Sequence, residues 1–398
     1  MSHILIIGGG PSGLRAAEVA SNAGIKVTLC DQRRSVGRKF LVAGKGGLNL
    51  THSEEIETFA TRYQGPDQPH DFWPRALADF DNKEIRAWAA RLNVGTFVQK
   101  SGRIYPKALK AAPLLRRWVE KLRKQGVDFR MSHRLVSLTS GKASFEGPEG
   151  KIEIQANAII LALGGGSWPQ TGSDGAWVET LEKAGVKVSP LAPANCGWEV
   201  AWSSDLAEQL EAKPLKNVVA SAGDKIAPGE IMITRYGMEG GPLYTLGPVL
   251  RRMDKPLLTL DFKPTFAIEK LVGKMESAKK NFLAESQYRW KLSESMRLIL
   301  DHFHGPFSSA EHLAQHAKAC RIPLTKTRPI EEAISSSGGV PWQTINDQLM
   351  IKSLPGIFVA GEMIDWEAPT GGYLLQGCFA SGTRAAEAAL AFKISKPG

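Results

Sequence analysis

Three glycines and one acid near the start of the chain carry the first chemical signal. Gly8-Gly9-Gly10-Pro11-Ser12-Gly13 sets glycines at 8, 10 and 13, the G-x-G-x-x-G spacing of a dinucleotide-binding turn. The chemistry this spacing suits is recognition of a pyrophosphate. Gly8 lets the chain turn sharply, Gly10 puts no side chain between backbone and phosphate, and Gly13 lets a helix close onto a strand. A helix starting at Pro11 and Ser12 would turn free N–H groups and the positive end of its dipole toward the phosphates. Asp31 follows a second apolar run and can accept hydrogen bonds from a ribose. An ordinary glycine turn with Asp31 as a helix cap is the competing reading. The order strand, turn, helix, strand, acid argues for the nucleotide.

The elements that must position these residues are visible. His3 to Ile7 reads as a strand, a helical pattern begins at Leu14, and Lys26 to Cys30 reads as the second strand. A second glycine-rich stretch runs from Ala43 through Gly44, Lys45, Gly46, Gly47 and Asn49 to His52, preceded by Arg38 and Lys39. Such a stretch resists regular structure and allows close backbone approach to a ligand. Helices are expected over Asn82 to Leu92 and from Pro113 to Gly126. Four short strands follow, over Val127 to Met131, Leu135 to Thr139, Lys142 to Glu146 and Lys151 to Gln155, as one more parallel strand and a β-meander. Ala158 to Leu163 is a buried-type strand ending in Gly164-Gly165-Gly166-Ser167, and Asp174 can cap the helix from Gly175 to Lys183. Near the end, Gly356 to Glu362 is a strand closing in Gly361-Glu362. Pro369-Thr370-Gly371-Gly372-Tyr373-Leu374 then opens a last helix, whose N-terminus could face a ring oxygen.

Ser189 to Asn195 reads as a boundary. The texture between about 191 and 330 differs, with strands over Val218 to Ala222, Glu230 to Thr234 and Leu257 to Phe262. A lysine-rich helix is expected over Phe266 to Trp290, then helices near Ser293 to Phe303 and Ser308 to Ala319. We therefore expect a discontinuous domain of 1–190 and 331–398 and an inserted domain of 191–330. His312 and His316 are four apart on one helix, but no H-E-x-x-H is present, so solvated histidines are expected and no metal.

Composition narrows the classes. The 398 residues carry a net charge of +10, which favours anions, although Lys and Arg are spread along the chain. The four cysteines include no C-x-x-C pair, which excludes a dithiol centre and suits a reducing cytoplasm. No apolar run reaches the ~18 residues of a membrane span, and no signal sequence precedes the first strand.

The opening glycine motif with Asp31, Ala162-Leu163-Gly164 and Val359-Ala360-Gly361-Glu362 resemble the glutathione-reductase-like FAD-binding fold. Gly37-Arg38-Lys39, the stretch ending in Asn49-Leu50-Thr51, Gly164-Gly165-Gly166-Ser167 and Pro369-Thr370-Gly371-Gly372-Tyr373 with Gln376 narrow this to the YhiN/BaiN-like family of flavoproteins. The resemblance implies an α/β fold: a Rossmann-like FAD-binding domain with a β-meander, plus an inserted mixed β/helical domain. It also implies that Ser12, Gln32, Arg38, Lys39, the Gly44 to Asn49 stretch, Glu362 and the Gly372 to Leu374 helix start lie near FAD. Leu135, at the head of the third parallel strand, would meet the adenine through its backbone. Many relatives read Gly-Gly-Gly-Arg-Cys-Asn where this chain has Gly44-Lys45-Gly46-Gly47-Leu48-Asn49, with Lys45 able to replace the arginine charge.

The function expected is an oxidoreductase with non-covalent FAD. NAD(P)H would be a transient donor, because only one dinucleotide motif is present, and the acceptor an unsaturated small molecule. The alternatives are an oxidase of an amine or similar small molecule, a flavin-bearing RNA-modifying or RNA-binding protein, and a flavin sensor without turnover. Nucleic acid is not the expected partner, because interleaved aromatic and basic residues are missing. Lys45, His52 and Asp365 are the candidate acid/base groups near the ring, and the sequence singles out none of them.

Overall fold

The structure, a computed structural model, describes residues 2–44 and 46–392. They form two compact units: the described residues up to Ala192 together with those from Ser335 onward, and Pro193–Ile334.

The first unit is built on a five-stranded parallel sheet. Its order is Ile357–Val359, Ala158–Leu161, His3–Ile7, Lys26–Asp31, Asp128–Met131. The strands are short and apolar because both faces are covered: Leu5, Ile6, Ile159, Ile160 and Ile357 are fully buried. The chain leaves the central strand His3–Ile7 toward Lys26–Asp31 and later returns to its other side at Ala158–Leu161. The order reverses there, and ligands of open α/β sheets bind outside the strand ends at such a point.

The opening helix, Pro11–Asn22, starts at the proline, three residues ahead of the expected Leu14, because proline pre-sets the first helical φ. It lies against the closing helix, Tyr373–Ala391. A β-carbon on Gly382 would come within 2.5 Å of the Ser12 carbonyl oxygen, and Arg15 Nε donates to Thr383 Oγ1 at 2.8 Å. Glu18, 1% exposed, anchors the opposite side. It accepts from Trp88 Nε1 at 2.9 Å, Trp118 Nε1 at 3.0 Å and Lys121 Nζ at 2.6 Å. The helix over Asn82–Arg91 is capped by Asp81, whose carboxylate accepts from Glu84 N. The helix carrying Trp118 begins at Ala111, two residues before Pro113. The meander is present as Arg134–Thr139, Lys142–Gly147 and Gly150–Gln155.

The second unit has its own core around a six-stranded sheet. Pro214–Ala222 and Lys225–Thr234 pair antiparallel at its centre, and Leu257–Asp261 and Cys320–Pro323 extend one side. The single lysine-rich helix expected over Phe266 to Trp290 is instead two short helices, Ile268–Lys274 and Phe282–Arg289. Asn281 is left-handed, with φ 54°, and restarts the chain. Trp290 then donates its indole N–H to the Leu271 carbonyl at 2.8 Å, folding the second helix back on the first.

Candidate functional site

The ends of the parallel strands open into a cavity of about 610 Å³, a size typical of small-ligand sites. The three motif glycines differ in their surroundings. Gly8 has φ +108°, and a β-carbon there would stand 2.1 Å from the Ala162 carbonyl oxygen. On Gly13 it would stand 1.9 Å from the Gly8 carbonyl oxygen. Both are therefore required by the chain itself. Gly10 has an ordinary φ of −77°, and a β-carbon there would meet no protein atom within 4 Å. It begins a helix with no side-chain cap, so the first-turn N–H groups of Pro11–Asn22 depend on a partner outside the chain. Gly8, Gly10, Pro11 and Ser12 all line the cavity. Gly13 does not, since its role is packing.

Asp31 lines the same cavity and accepts from Gly9 N and Arg33 N, both at 2.7 Å. Burial pushes its carboxyl above the usual range, while those two hydrogen bonds and the charges of Arg33 and Arg38 pull the other way. Two accepted bonds leave lone pairs on both oxygens for further donors. Gln32 closes the wall by donating to Gly172 O at 2.8 Å and Asp174 Oδ2 at 3.1 Å. Arg38 is exposed along the cavity.

Lys39 and Glu362 form the other wall. Lys39 Nζ lies 2.7 Å from Glu362 Oε2 and 3.0 Å from Oε1, and donates to Ser167 Oγ at 2.7 Å. Ser336 N donates to Glu362 Oε1 at 3.0 Å, and the Ser336 hydroxyl accepts from Gly166 N at 3.0 Å. Gly164 also lines the cavity. Gly361 does not: with φ +78° and a β-carbon position 2.2 Å from Ser12 Oγ, it serves close packing of the strand end on the opening helix. Ser173, Ser336 and Cys378 are site residues that sequence reasoning did not single out. Ser173 and Cys378 line the cavity, and Ser173 Oγ is buried without a partner. Their one sequence signal was for Ser173, inside the glycine run Gly172 to Gly175.

Leu135 corrects an expectation. The third parallel strand ends at Met131, and Leu135 belongs to the meander, paired with Phe145 beside a register shift. The meander turns it back to the cavity, which it lines.

The second glycine stretch lies apart from this cavity, as does the closing helix start. Gly44 packs on Ala111, and Gly47, with φ +125°, faces Tyr105. Lys45 lies outside the described residues. Gly46 has no protein atom within 4 Å of its β position, and Asn49 Oδ1 is buried without a partner. The stretch ends at Thr51, whose backbone would be 2.5 Å from a β-carbon on Gly372, so loop and helix start are in direct contact. Thr51 Oγ1 donates to Gln376 Oε1 at 2.7 Å, and Gln376 Nε2 donates to Phe80 O at 2.6 Å. Tyr373 donates its hydroxyl proton to Glu54 Oε2 at 2.9 Å, and its carbonyl accepts from the Tyr63 hydroxyl at 2.8 Å. Leu374 follows, half-buried. No side chain caps this helix. Of the candidate acid/base groups, His52 stacks on the Tyr373 ring at 5.4 Å between centroids. Asp365 is 5% exposed and accepts from Gly338 N at 3.2 Å.

In the second unit, His312 and His316 are joined by His304, whose ring stacks on His316 at 4.2 Å. No group of three or more His, Cys, Asp or Glu side chains among the described residues could hold a metal ion. Burial first, and then the neighbouring histidine, lowers the pKa of His304 and of His316. A base with a lowered folded pKa stabilises above its unfolded value and loses that contribution as pH falls through the folded one. The melting temperature should therefore drop between pH 7.5 and 5.5, and His316→Gln should flatten that slope. No helix among the described residues is long and apolar enough to cross a membrane, and the four cysteines form no disulfide.

The profile of the family described as "HI0933-like protein Rossmann domain" matches residues 2–388. The 3-dehydro-bile acid delta(4,6)-reductase of Clostridium scindens is 28% identical, with 98% of this chain and 99% of that protein covered. The ribosomal RNA dihydrouridine synthase of Escherichia coli is 22% identical, with 98% of each covered. Among solved structures, a 3-ketosteroid-delta4-(5alpha)-dehydrogenase from Rhodococcus jostii RHA1 has a TM-score of 0.54 at 12% identity, over 98% of this chain and 97% of that one. That likeness is one of fold.

Proposed function

The chain belongs to the family of HI0933-like proteins with a Rossmann domain and is an FAD-dependent oxidoreductase; from that premise we propose that it is an NAD(P)H-dependent reductase of a carbon–carbon double bond conjugated to a carbonyl in a small organic molecule. Both named enzymes support this reaction class, since a 3-dehydro-delta(4,6) bile acid and uridine each carry such a bond. The observation that carries the cofactor's place is Gly10, where the chain itself leaves room for a side chain it does not have.

The residues present fit FAD. The uncapped N–H groups of the opening helix would hold the pyrophosphate, and Asp31 would take ribose hydroxyls on its remaining lone pairs. The Lys39–Glu362 pair presents a carboxylate already neutralised in charge, able to accept from sugar-chain hydroxyls. Ser173 Oγ and Asn49 Oδ1, buried without partners, are positions where a bound group would supply the missing hydrogen bond. When bound, FAD supplies hydride transfer. The closing helix N-terminus, clamped by Tyr63, Gln376 and the Tyr373–Glu54 bond, directs its amides and dipole toward negative charge. The described parallel-sheet unit provides one dinucleotide motif, so NAD(P)H would bind transiently. The reducing chemistry, and four cysteines that form no disulfide, suit the cytoplasm.

Anaerobic visible spectroscopy tests the reading. The purified protein should show a flavin spectrum that bleaches with NADH or NADPH and recovers when a 4-en-3-one steroid is added. A flavin untouched by both nucleotides overturns the reductase reading in favour of an oxidase. The net charge of +10 and the RNA-acting relative favour one second reading, reduction of uracil in RNA. Recovery with ribosomal RNA alone, weakened steeply by salt, would establish it.

A further inference from the structure

The chain leaves the strand Ala158–Leu161 and reaches the helix Trp177–Lys183 through a segment that lines the cavity from Thr171 to Ala176. In the sheet, the central strand His3–Ile7 stands between Ala158–Leu161 and Lys26–Asp31. Yet the segment is tied to the residues that follow Asp31. Gln32 Nε2 donates to Gly172 O at 2.8 Å and to Asp174 Oδ2 at 3.1 Å, and Arg33 Nη2 donates to Pro169 O at 2.5 Å. A β-carbon on Gly172 would lie 3.0 Å from Arg33 Cγ, so backbone and side chain are in direct contact there. These bonds join the ends of the two strands that flank the central one. The segment therefore passes over the end of the central strand and over the glycine turn that continues it.

Side chains hold this strap in place. Among the described residues, the backbone hydrogen bonds of residues 168–176 are local: Thr171 N donates to Trp168 O, Gly172 N to Pro169 O, and Gly175 O accepts from Val178 N. Trp168 is left-handed, with φ 63°, a strained conformation for a bulky aromatic residue. Ser173 is 6% exposed and lines the cavity, and its hydroxyl is buried without a partner, 3.2 Å from where a β-carbon on Gly164 would stand. A strained segment carrying an unpaired buried hydroxyl into a cavity lacks the ligand that would complete it.

We propose that residues 168–175 form a strap that closes over bound FAD, with Ser173 Oγ hydrogen-bonded to the cofactor and Gln32 and Arg33 as the positioning residues that latch the strap shut. This rests on the placement of FAD given above. Gln32 then acts through Gly172 and Asp174, because both bonds its amide nitrogen donates go to the strap. No backbone ladder fastens the strap to the sheet, so breaking three side-chain hydrogen bonds opens it. A dinucleotide lying along the glycine turn enters and leaves only while it is open.

The test compares FAD exchange in the wild type, the double variant Gln32→Ala, Arg33→Ala, and Ser173→Ala. Association of FAD with the apoprotein is read from the change in flavin fluorescence, and release from its reversal on dilution of the loaded protein. Unlatching the strap should speed both steps by about tenfold or more, and change the Kd less than either rate. Ser173→Ala should speed release alone, by about fivefold. Unchanged release in that variant overturns the contact of Ser173 with the cofactor. In the double variant, faster release at an unchanged association rate would make the strap a fixed wall and overturns the latch, as do two unchanged rates. Hydrogen exchange of the wild type needs no variant to fold: the amides of residues 171–176 should exchange more slowly once FAD is added. FAD uptake without that slowing overturns the strap alone. Wild-type protein that takes up no FAD overturns the cofactor placement, and the strap with it.

Discussion

Gly10→Val is expected to fold normally and to purify without flavin. The two halves of that outcome come from different observations. The backbone at Gly10 is in an ordinary region, and a β-carbon there meets no protein atom within 4 Å, so the fold has no reason to object. The valine branches would instead fill the space in front of the uncapped first turn of Pro11–Asn22. Losing two or three charge-assisted hydrogen bonds from those N–H groups costs about 4 kcal/mol, roughly a 10³-fold loss of FAD affinity. Gly13→Val is the control, because its side chain collides with the Gly8 carbonyl and should prevent folding. Flavin absorbance per protein and a melting curve separate the two. A Gly10→Val protein that retains full flavin would remove the pyrophosphate from this turn.

Glu18→Leu is expected to cost the fold substantial stability without touching the cavity. The carboxylate of Glu18 accepts from two buried indoles and from Lys121, and Arg15 NH1 lies 3.4 Å away. Leucine would leave the Trp88 and Trp118 N–H groups unpaired in an interior where their rings pack 4.7 Å apart. Breaking a buried charged network of this kind costs about 3–5 kcal/mol, partly relieved here because Lys121 reaches solvent. The melting temperature should fall by roughly 10 °C. Both indoles share Oε2, so Glu18→Gln can keep an acceptor for the two of them, gives up the one for Lys121, and should lose less. Below its lowered melting point the Glu18→Leu protein should still hold FAD, the reverse of Gly10→Val. Equal melting temperatures for the leucine variant and the wild type would show that the indoles find other partners.

Both arguments turn on residues that differ in how readable they were. Gly10 stood in a pattern with a mechanism attached, and the strand runs on either side were apolar enough to be placed. The meander was legible for the same reason: three short runs with turn residues between them. Glu18 was not legible, since one acid in an alanine-rich helix reads as a solvated position. Only the packing of Asn82–Arg91 and Ala111–Lys124 over the opening helix turns it inward. The lysine-rich segment near 270 misled for a related reason. Its periodicity suited one helix, but burial of Trp290 against Leu271 favoured two.

The candidate site divides along the same line. The sequence by itself determined the βαβ start, with its glycines and Asp31, because strand, turn and helix opening are local and span few residues. It also determined that Lys39 and Glu362 were residues of interest. Only the tertiary structure decided that these two are one ion pair, although they stand 323 positions apart, and that Ser167 and Ser336 complete it. It likewise decided that Gly372 packs on Thr51 and that Leu135 reaches the cavity from the meander. The physical reason is range. Backbone conformation is set by near neighbours, whereas charge pairing, burial and exposure depend on which strand ends the sheet order brings together.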